Sequence, residues 1–266
     1  MIERAMNDGR RIPAIGFGTY KVPADDAERL CRAAIDAGYG MIDTAALYGN
    51  EEGVGAATAG TELFVTTKLW RDSMGADAAL AAFDASLARL GRESVDLYLI
   101  HWPMPNEGRY VETWRALVRL RDEGRARSIG VSNFSPEHLD RIVDATGVVP
   151  ALNQIELHPT FQQRAAREAH ERLGIVTQSW APLGQGRLLE HPVIAGIAAR
   201  LERSAAQVIL AWHLAHGLAV IPKASAPERI RQNLAAAEVS LSDADMAAID
   251  ALDDPAGRMG PDPETF

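Results

Sequence analysis

At 266 residues, 47% hydrophobic and 24% charged, the chain has the make-up of a soluble globular protein and the length of an α/β barrel. Its formal charge of −9 argues against a nucleic-acid-binding surface, and no run of about 18 apolar residues offers a membrane span. The single cysteine, Cys31, forms no intramolecular disulfide, and the start Met1-Ile2-Glu3-Arg4 leads into no apolar signal core. A cytoplasmic protein with neither membrane nor nucleic-acid partners is expected.

Residues 2–12 predict a hairpin around Asn7-Asp8-Gly9. Short apolar strands are predicted near 15–18, 41–43, 64–68, 95–101, 126–132, 151–156, 174–180 and 218–223, with helical patterns between them. Leu80, Phe83, Leu87 and Leu90 share one helix face, which Gly91 ends. Ser135 caps a helix that opens on Pro136, and Ser204-Ala205-Ala206-Gln207 has capping-box spacing. The alternation runs without linker or composition break. It predicts an α/β protein, a (β/α)8 TIM barrel with an N-terminal β-hairpin, as one domain over residues 1–266. An open doubly wound sheet would carry a dinucleotide fingerprint after its first strand. Gly16-Phe17-Gly18-Thr19-Tyr20-Lys21 lacks the third glycine, which disfavours that fold.

Barrel enzymes build their sites from the C-terminal strand ends. Here those ends carry Thr19 and Tyr20, Asp43, Lys68, His101, Ser132 and Asn133, Gln154, Trp180 and Lys223. Three apolar stretches finish on ionisable groups: Met41-Ile42-Asp43, Phe64 to Lys68, and Val95 to His101. Tyr48 follows the first in its turn. Lysine is scarce: of 27 basic residues only Lys21, Lys68 and Lys223 are not arginine, and two of these end strands. A lysine supplies a compact ammonium whose pKa shifts on burial and which meets phosphate as a point charge.

A free tyrosine titrates near pH ~10, and a neighbouring ammonium lowers that value. Lys68 can supply the ammonium, Asp43 can keep Lys68 charged, and His101 can orient a substrate oxygen. The set suits protonating a carbonyl oxygen while its carbon is attacked. No side chain is an evident nucleophile, and the seven histidines include no His-x-x-x-His pair, so no metal is expected. The attacking species is therefore expected from a cofactor, with hydride the natural candidate. Singly, Asp43 reads as a helix cap, His101 as a strand-edge histidine, Tyr48 as packing and Lys68 as a surface ion pair. Their joint placement on one rim points to function.

Gly38 to Ala45, running on to Glu52-Gly53-Val54-Gly55, resembles the first signature of the aldo-keto reductases. Gly130-Val131-Ser132-Asn133-Phe134 resembles the second, and Ile221-Pro222-Lys223 with Arg229 and Asn233 resembles the third. The similarity spans essentially the whole chain, and Ser179 to Gly186 looks closest to the bacterial 2,5-diketo-D-gluconate reductase branch. The resemblance implies NADPH-dependent reduction of aldehydes or ketones, with Tyr48 as proton donor, Lys68 and Asp43 as its tuning pair, and His101 orienting the carbonyl. It implies Ser132, Asn133 and Gln154 on the nicotinamide carboxamide and Trp180 stacked on the ring. It further implies Thr19 and Asp43 on the cofactor side, Leu183, Gly184 and Gly186 bordering the pyrophosphate, and Lys223, Ser225, Arg229 and Asn233 at the adenosine end.

Departures from the family pattern bear on the cofactor. Ala224 stands where the family carries Ser or Thr, and Ala226 where the diketogluconate branch carries a basic residue. NADPH is expected over NADH by a reduced margin, since a lost hydroxyl and a lost cation both weaken 2′-phosphate recognition. Tyr20, Leu47, Trp70 and Trp102, with Trp180, are expected to line an aromatic pocket for a small carbonyl substrate. Trp114 and Trp212 fall in helical patterns and are expected to pack. The short tail after Asp250 suggests an open pocket, and a monomer is expected. Two other readings stay open: a non-catalytic nicotinamide-binding regulatory protein on the same fold, and a phosphate-handling barrel hydrolase or isomerase.

Overall fold

A computed structural model describes residues 2–266 of the chain. β1 (Glu3–Ala5) and β2 (Arg11–Pro13) pair antiparallel as the predicted hairpin, with Arg4 opposite Ile12. Met6 and Ile12 pack on Met41, Leu97, Leu99 and Leu152, and Asn7 Nδ2 donates to Pro150 O at 2.9 Å. The hairpin thereby closes the N-terminal end of the barrel.

Eight parallel strands follow in consecutive spatial order: β3 (Phe17–Gly18), β4 (Met41–Asp43), β5 (Phe64–Leu69), β6 (Val95–Ile100), β7 (Ala126–Ser132), β8 (Leu152–Glu156), β9 (Val176–Trp180) and β10 (Ala219–Val220). The two shortest meet where the cylinder shuts. Ile15 bridges Val220, Gly16 N–H donates to Val220 O at 2.9 Å, and Val220 N–H donates to Ala14 O at 2.8 Å. The closure explains the glycines that fail as a dinucleotide fingerprint. A Cβ at Gly18 would lie 2.6 Å from Ile221 O, so only glycine lets the first and last strands come this close.

The helices are α1 (Ala24–Asp36), α2 (Glu51–Thr58), α3 (Ala76–Leu90), α4 (Tyr110–Asp122), α5 (Pro136–Thr146), α6 (Arg164–Leu173), α7 (Pro192–Leu201), α8 (Ala205–Ala215), α9 (Pro227–Leu234) and α10 (Asp243–Asp250). β9 and β10 are each followed by two helices rather than one. α3 buries Phe83, Leu87 and Leu90 and ends at Gly91 with φ 62°; Ser135 and Ser204 close capping boxes on α5 and α8. Trp114 and Trp212 are fully buried packing residues. Among the described residues no helix is long and apolar enough to cross a membrane.

Candidate active site

Side chains alternate along a strand, and that period decides which residues meet at the rim. On β4, Met41 faces the barrel interior and Ile42 the helices, so Asp43 points inward again. On β5, Thr67 Oγ1 reaches outward to Glu51 Oε1 at 2.6 Å, which sends Lys68 inward. On β6, Leu97 and Leu99 face in, and His101, just past the strand, follows the same face. Gln154 on β8 lies level with Gln178 on β9, and the two join through Gln154 Nε2 and Gln178 Oε1 at 2.7 Å.

These positions converge on the Lys68 ammonium. It donates to Asp43 Oδ1 at 2.5 Å and to Thr44 O at 2.9 Å, and lies 3.5 Å from Tyr48 Oη. Asp43 Oδ2 accepts from Gln154 Nε2 at 2.9 Å. The Lys68 and Asp43 side chains are 0% and 1% exposed. Either charge alone at that depth costs several kcal/mol, so each requires the other. Burial pushes the Asp43 carboxyl up and the Lys68 ammonium down, and their mutual attraction opposes both shifts.

The turn that carries Tyr48 is a single 3₁₀ turn, Ala46–Tyr48, ended by Gly49 with φ 66°. Asn50, buried beside it, donates from Nδ2 to Thr19 O at 3.0 Å and Val22 O at 3.1 Å, and its Oδ1 accepts from Thr44 Oγ1 at 2.7 Å. The phenol does not have the expected lowered pKa. Burial first, then the negative charge of Asp43 and the neighbouring Tyr20, hold it well above its ordinary value. The Lys68 ammonium, 3.5 Å from Tyr48 Oη, does not outweigh this burial while the phenol is intact. Tyr48 is thus a firmly protonated donor at neutral pH. His101 is held well below the usual histidine range by burial and by Lys68, and its Nδ1 has no hydrogen-bond partner among the described residues. It is a neutral imidazole whose ring centroid lies 5.7 Å from that of Tyr48.

The residues expected to meet a nicotinamide form one hydrogen-bonded chain. Trp180 Nε1 donates to Asn133 Oδ1 at 2.8 Å, and Asn133 Nδ2 donates to His101 O and to Ser132 Oγ, both at 3.0 Å. Ser132 Oγ donates to Gln154 O at 2.7 Å. Asn133 has φ 63°, a left-handed conformation that asparagine adopts more readily than other non-glycine residues. These contacts fix it, and with it the plane of the Trp180 indole. A flat ring with an amide substituent fits such a platform of indole, amide and hydroxyl groups. The Thr19 side chain is fully buried and its hydroxyl donates to Asp43 O at 2.9 Å, so it braces β3 on β4.

Leu183, Gly184 and Gly186 lie in the loop after β9, where Gly184, Gln185 and Gly186 all have positive φ. Lys223 is exposed and donates to Ser225 Oγ at 2.9 Å beside the first turn of α9. Arg229 on that helix is exposed, with no ion pair among the described residues, while Asn233 one turn later is buried. Ala226 is the N-cap of α9 and offers no side-chain cap. Lysine, arginine and an open helix N-terminus suit a phosphate.

Tyr20 and Leu47 stand 55% and 46% exposed at one side of the mouth. Tyr20 packs on Tyr48 with ring centroids 5.2 Å apart, and Trp70 lies 5.2 Å from His101. The opposite side is not open, short though the tail is. Phe266 returns to the rim, 4.5 Å from Trp102 and 6.4 Å from Trp70 between ring centroids. Sequence patterns missed Phe266, and they also missed Glu156. Glu156 ends an apolar strand on a charge, the same signal that marks Asp43, Lys68 and His101.

The eight-stranded parallel barrel thus carries a buried acid–amine pair beneath a phenol and an imidazole at its C-terminal rim. The aldo/keto reductase family model matches residues 14–254, and the chain belongs to that family of oxidoreductases. An aldo-keto reductase of Mycobacterium sp. (strain JLS) is 52% identical over 267 residues, covering 98% of this chain and 96% of its own. Methylglyoxal reductase DkgA of Yersinia pestis is 44% identical over 266 residues, covering 97% and 95%. The crystal structure of a Gox0644 mutant in complex with NADPH has a TM-score of 0.98 at 51% identity, covering 100% of this chain and 98% of that one.

Proposed function

We propose that the protein reduces aldehydes or ketones to alcohols with NADPH, and that Tyr48 donates the proton to the carbonyl oxygen. The observation that carries this reading is the contact of Lys68 Nζ with both Asp43 Oδ1 and Tyr48 Oη. Bound at the rim, NADPH supplies the hydride. Ser132, Asn133 and Gln154 are the residues to hold its carboxamide, Trp180 its nicotinamide ring, the loop of Leu183, Gly184 and Gly186 its pyrophosphate, and Lys223, Ser225, Arg229 and Asn233 its adenosine end. The neutral His101 ring donates one hydrogen bond to the carbonyl oxygen and aims it at Tyr48 Oη. As the proton leaves Tyr48, Lys68 stabilises the phenolate, and Asp43 keeps Lys68 cationic.

The NADPH-bound Gox0644 mutant and the methylglyoxal reductase name support NADPH and a small carbonyl substrate, including α-dicarbonyls. Arg229, exposed and without an ion pair among the described residues, supports NADPH over NADH. The protein acts as a monomer on a small molecule. The test is consumption of NADPH and NADH by purified protein against benzaldehyde, methylglyoxal and a diketo-sugar acid. Turnover with NADPH is expected, and no turnover with any of the three would overturn the reading.

A further inference from the structure

Residues 259–266 cross the barrel rim from the loop after β9 to the Trp70–Trp102 wall. A Cβ at Gly184 would lie 3.3 Å from Met259 Cε, one at Gly260 would lie 2.6 Å from Trp180 Cη2, and Phe266 ends on the two tryptophans. One barrel side chain holds the backbone of this segment. Glu156, 1% exposed at the end of β8, accepts from Met259 N–H through Oε1 at 2.7 Å and from Gly260 N–H through Oε2 at 2.9 Å. Beyond these, the segment's polar contacts among the described residues are turns on Asp262 and a His138–Glu264 pair at 3.7 Å.

Glu156 is itself braced. His158, fully buried, brings Nε2 to 3.2 Å from Glu156 Oε1, and its Nδ1 lies 3.0 Å from Thr160 Oγ1. Burial pushes the Glu156 carboxyl up; the His158 contact and the two tail amides more than reverse this, leaving it below the usual range. An ionised carboxylate at this depth is tolerated because its lone pairs are met, and the tail meets two of them. Gly260 fills the gap between clasp and platform. A Cβ there would be only 3.0 Å from Glu156 Oε2 as well as crowding Trp180.

We propose that Glu156 is the positioning residue for the C-terminal segment: by clasping the consecutive amides of Met259 and Gly260 it seats Phe266 on Trp102 and Trp70 and so sets the substrate-side wall of the site. The proposal rests on reading the rim as a carbonyl-reducing site. Glu156 touches no reacting atom; it acts through the tail. With the clasp broken, the segment lifts, and substrates large enough to lean on the wall lose contact area while the Tyr48–Lys68–Asp43 chemistry is unaltered.

Limited trypsin digestion reads the clasp directly, because the Arg258–Met259 bond contains the clasped amide. Glu156→Gln and Gly260→Ala are expected to release residues 259–266 about tenfold faster than the parent protein, since the first removes the carboxylate that both amides share and the second drives a Cβ into Trp180 and Glu156 Oε2. Glu156→Asp, which keeps the carboxylate, is expected between the parent protein and Glu156→Gln. With NADPH saturating, KM for benzaldehyde should rise about fivefold in Glu156→Gln with kcat within about twofold, the pattern of lost binding rather than lost chemistry. A chain ending at Arg258 should show the same KM. Gly260 lies outside the barrel, so Gly260→Ala decides the matter even if Glu156→Gln does not fold. Release at the parental rate in Gly260→Ala, or an unchanged KM in both that variant and the truncated chain, would overturn the proposal. If the parent protein reduces no carbonyl, the reductase reading fails, and the digestion still decides whether the clasp exists.

Discussion

Lys68 Nζ lies 2.5 Å from Asp43 Oδ1 with neither side chain accessible to water. Removing one member of such a pair strands the other. Asp43→Asn is expected to destabilise the protein by about 3–5 kcal/mol in urea unfolding, and Asp43→Asn with Lys68→Met by less than Asp43→Asn alone. Both variants should lack reductase activity. A double variant less stable than Asp43→Asn would contradict the pairing.

Stability is expected to fall on the acid side of neutrality. His170 is pushed down to about 4 by burial, between Asn153 Nδ2 at 2.9 Å and Thr177 Oγ1 at 2.8 Å. His213 is likewise pushed down to about 4, chiefly by burial. A depressed folded-state pKa means that the unfolded chain takes up protons first. Their contribution is complete above the unfolded value near ~6.5 and is lost as pH falls towards the folded value near 4. Each should cost roughly 2 kcal/mol between pH 7 and pH 5. Urea midpoints at the two pH values measure this, and His170→Gln should flatten the slope.

The phosphate end should respond to single changes. Ala226→Arg places a cation at the N-cap of α9 beside Lys223 and is expected to tighten NADPH about five- to tenfold. Arg229→Ala should weaken NADPH to a similar degree. Fluorescence titration should find NADH unaffected by either; an equal effect on both cofactors would move the 2′-phosphate elsewhere.

The strand pattern, the hairpin at Asn7-Asp8-Gly9 and the caps at Ser135 and Ser204 were legible because period and capping are local properties. Asp43, Lys68 and His101 were legible because a charge ending an apolar strand has to meet something. Glu156 carries the same mark, but its partners are backbone amides more than 100 residues away, and no side-chain pattern announces them. Phe266 was hidden for the same reason. The tail's composition of proline, glycine and aspartate describes its flexibility in isolation, not the clasp that seats it. The direction of the Tyr48 shift was missed for a reason of chemistry rather than pattern. The neighbouring ammonium was weighed, whereas the burial of the phenol, which dominates, is a property of the folded chain.

The central claim is that the Tyr48 phenol delivers the proton while hydride comes from NADPH. Tyr48→Phe keeps the ring packed on Tyr20 and removes only the donor. NADPH-dependent reduction of benzaldehyde by Tyr48→Phe is expected to fall about 100-fold or more in kcat, with NADPH dissociation constants unchanged. A variant that keeps most of its activity while binding NADPH normally would contradict the account.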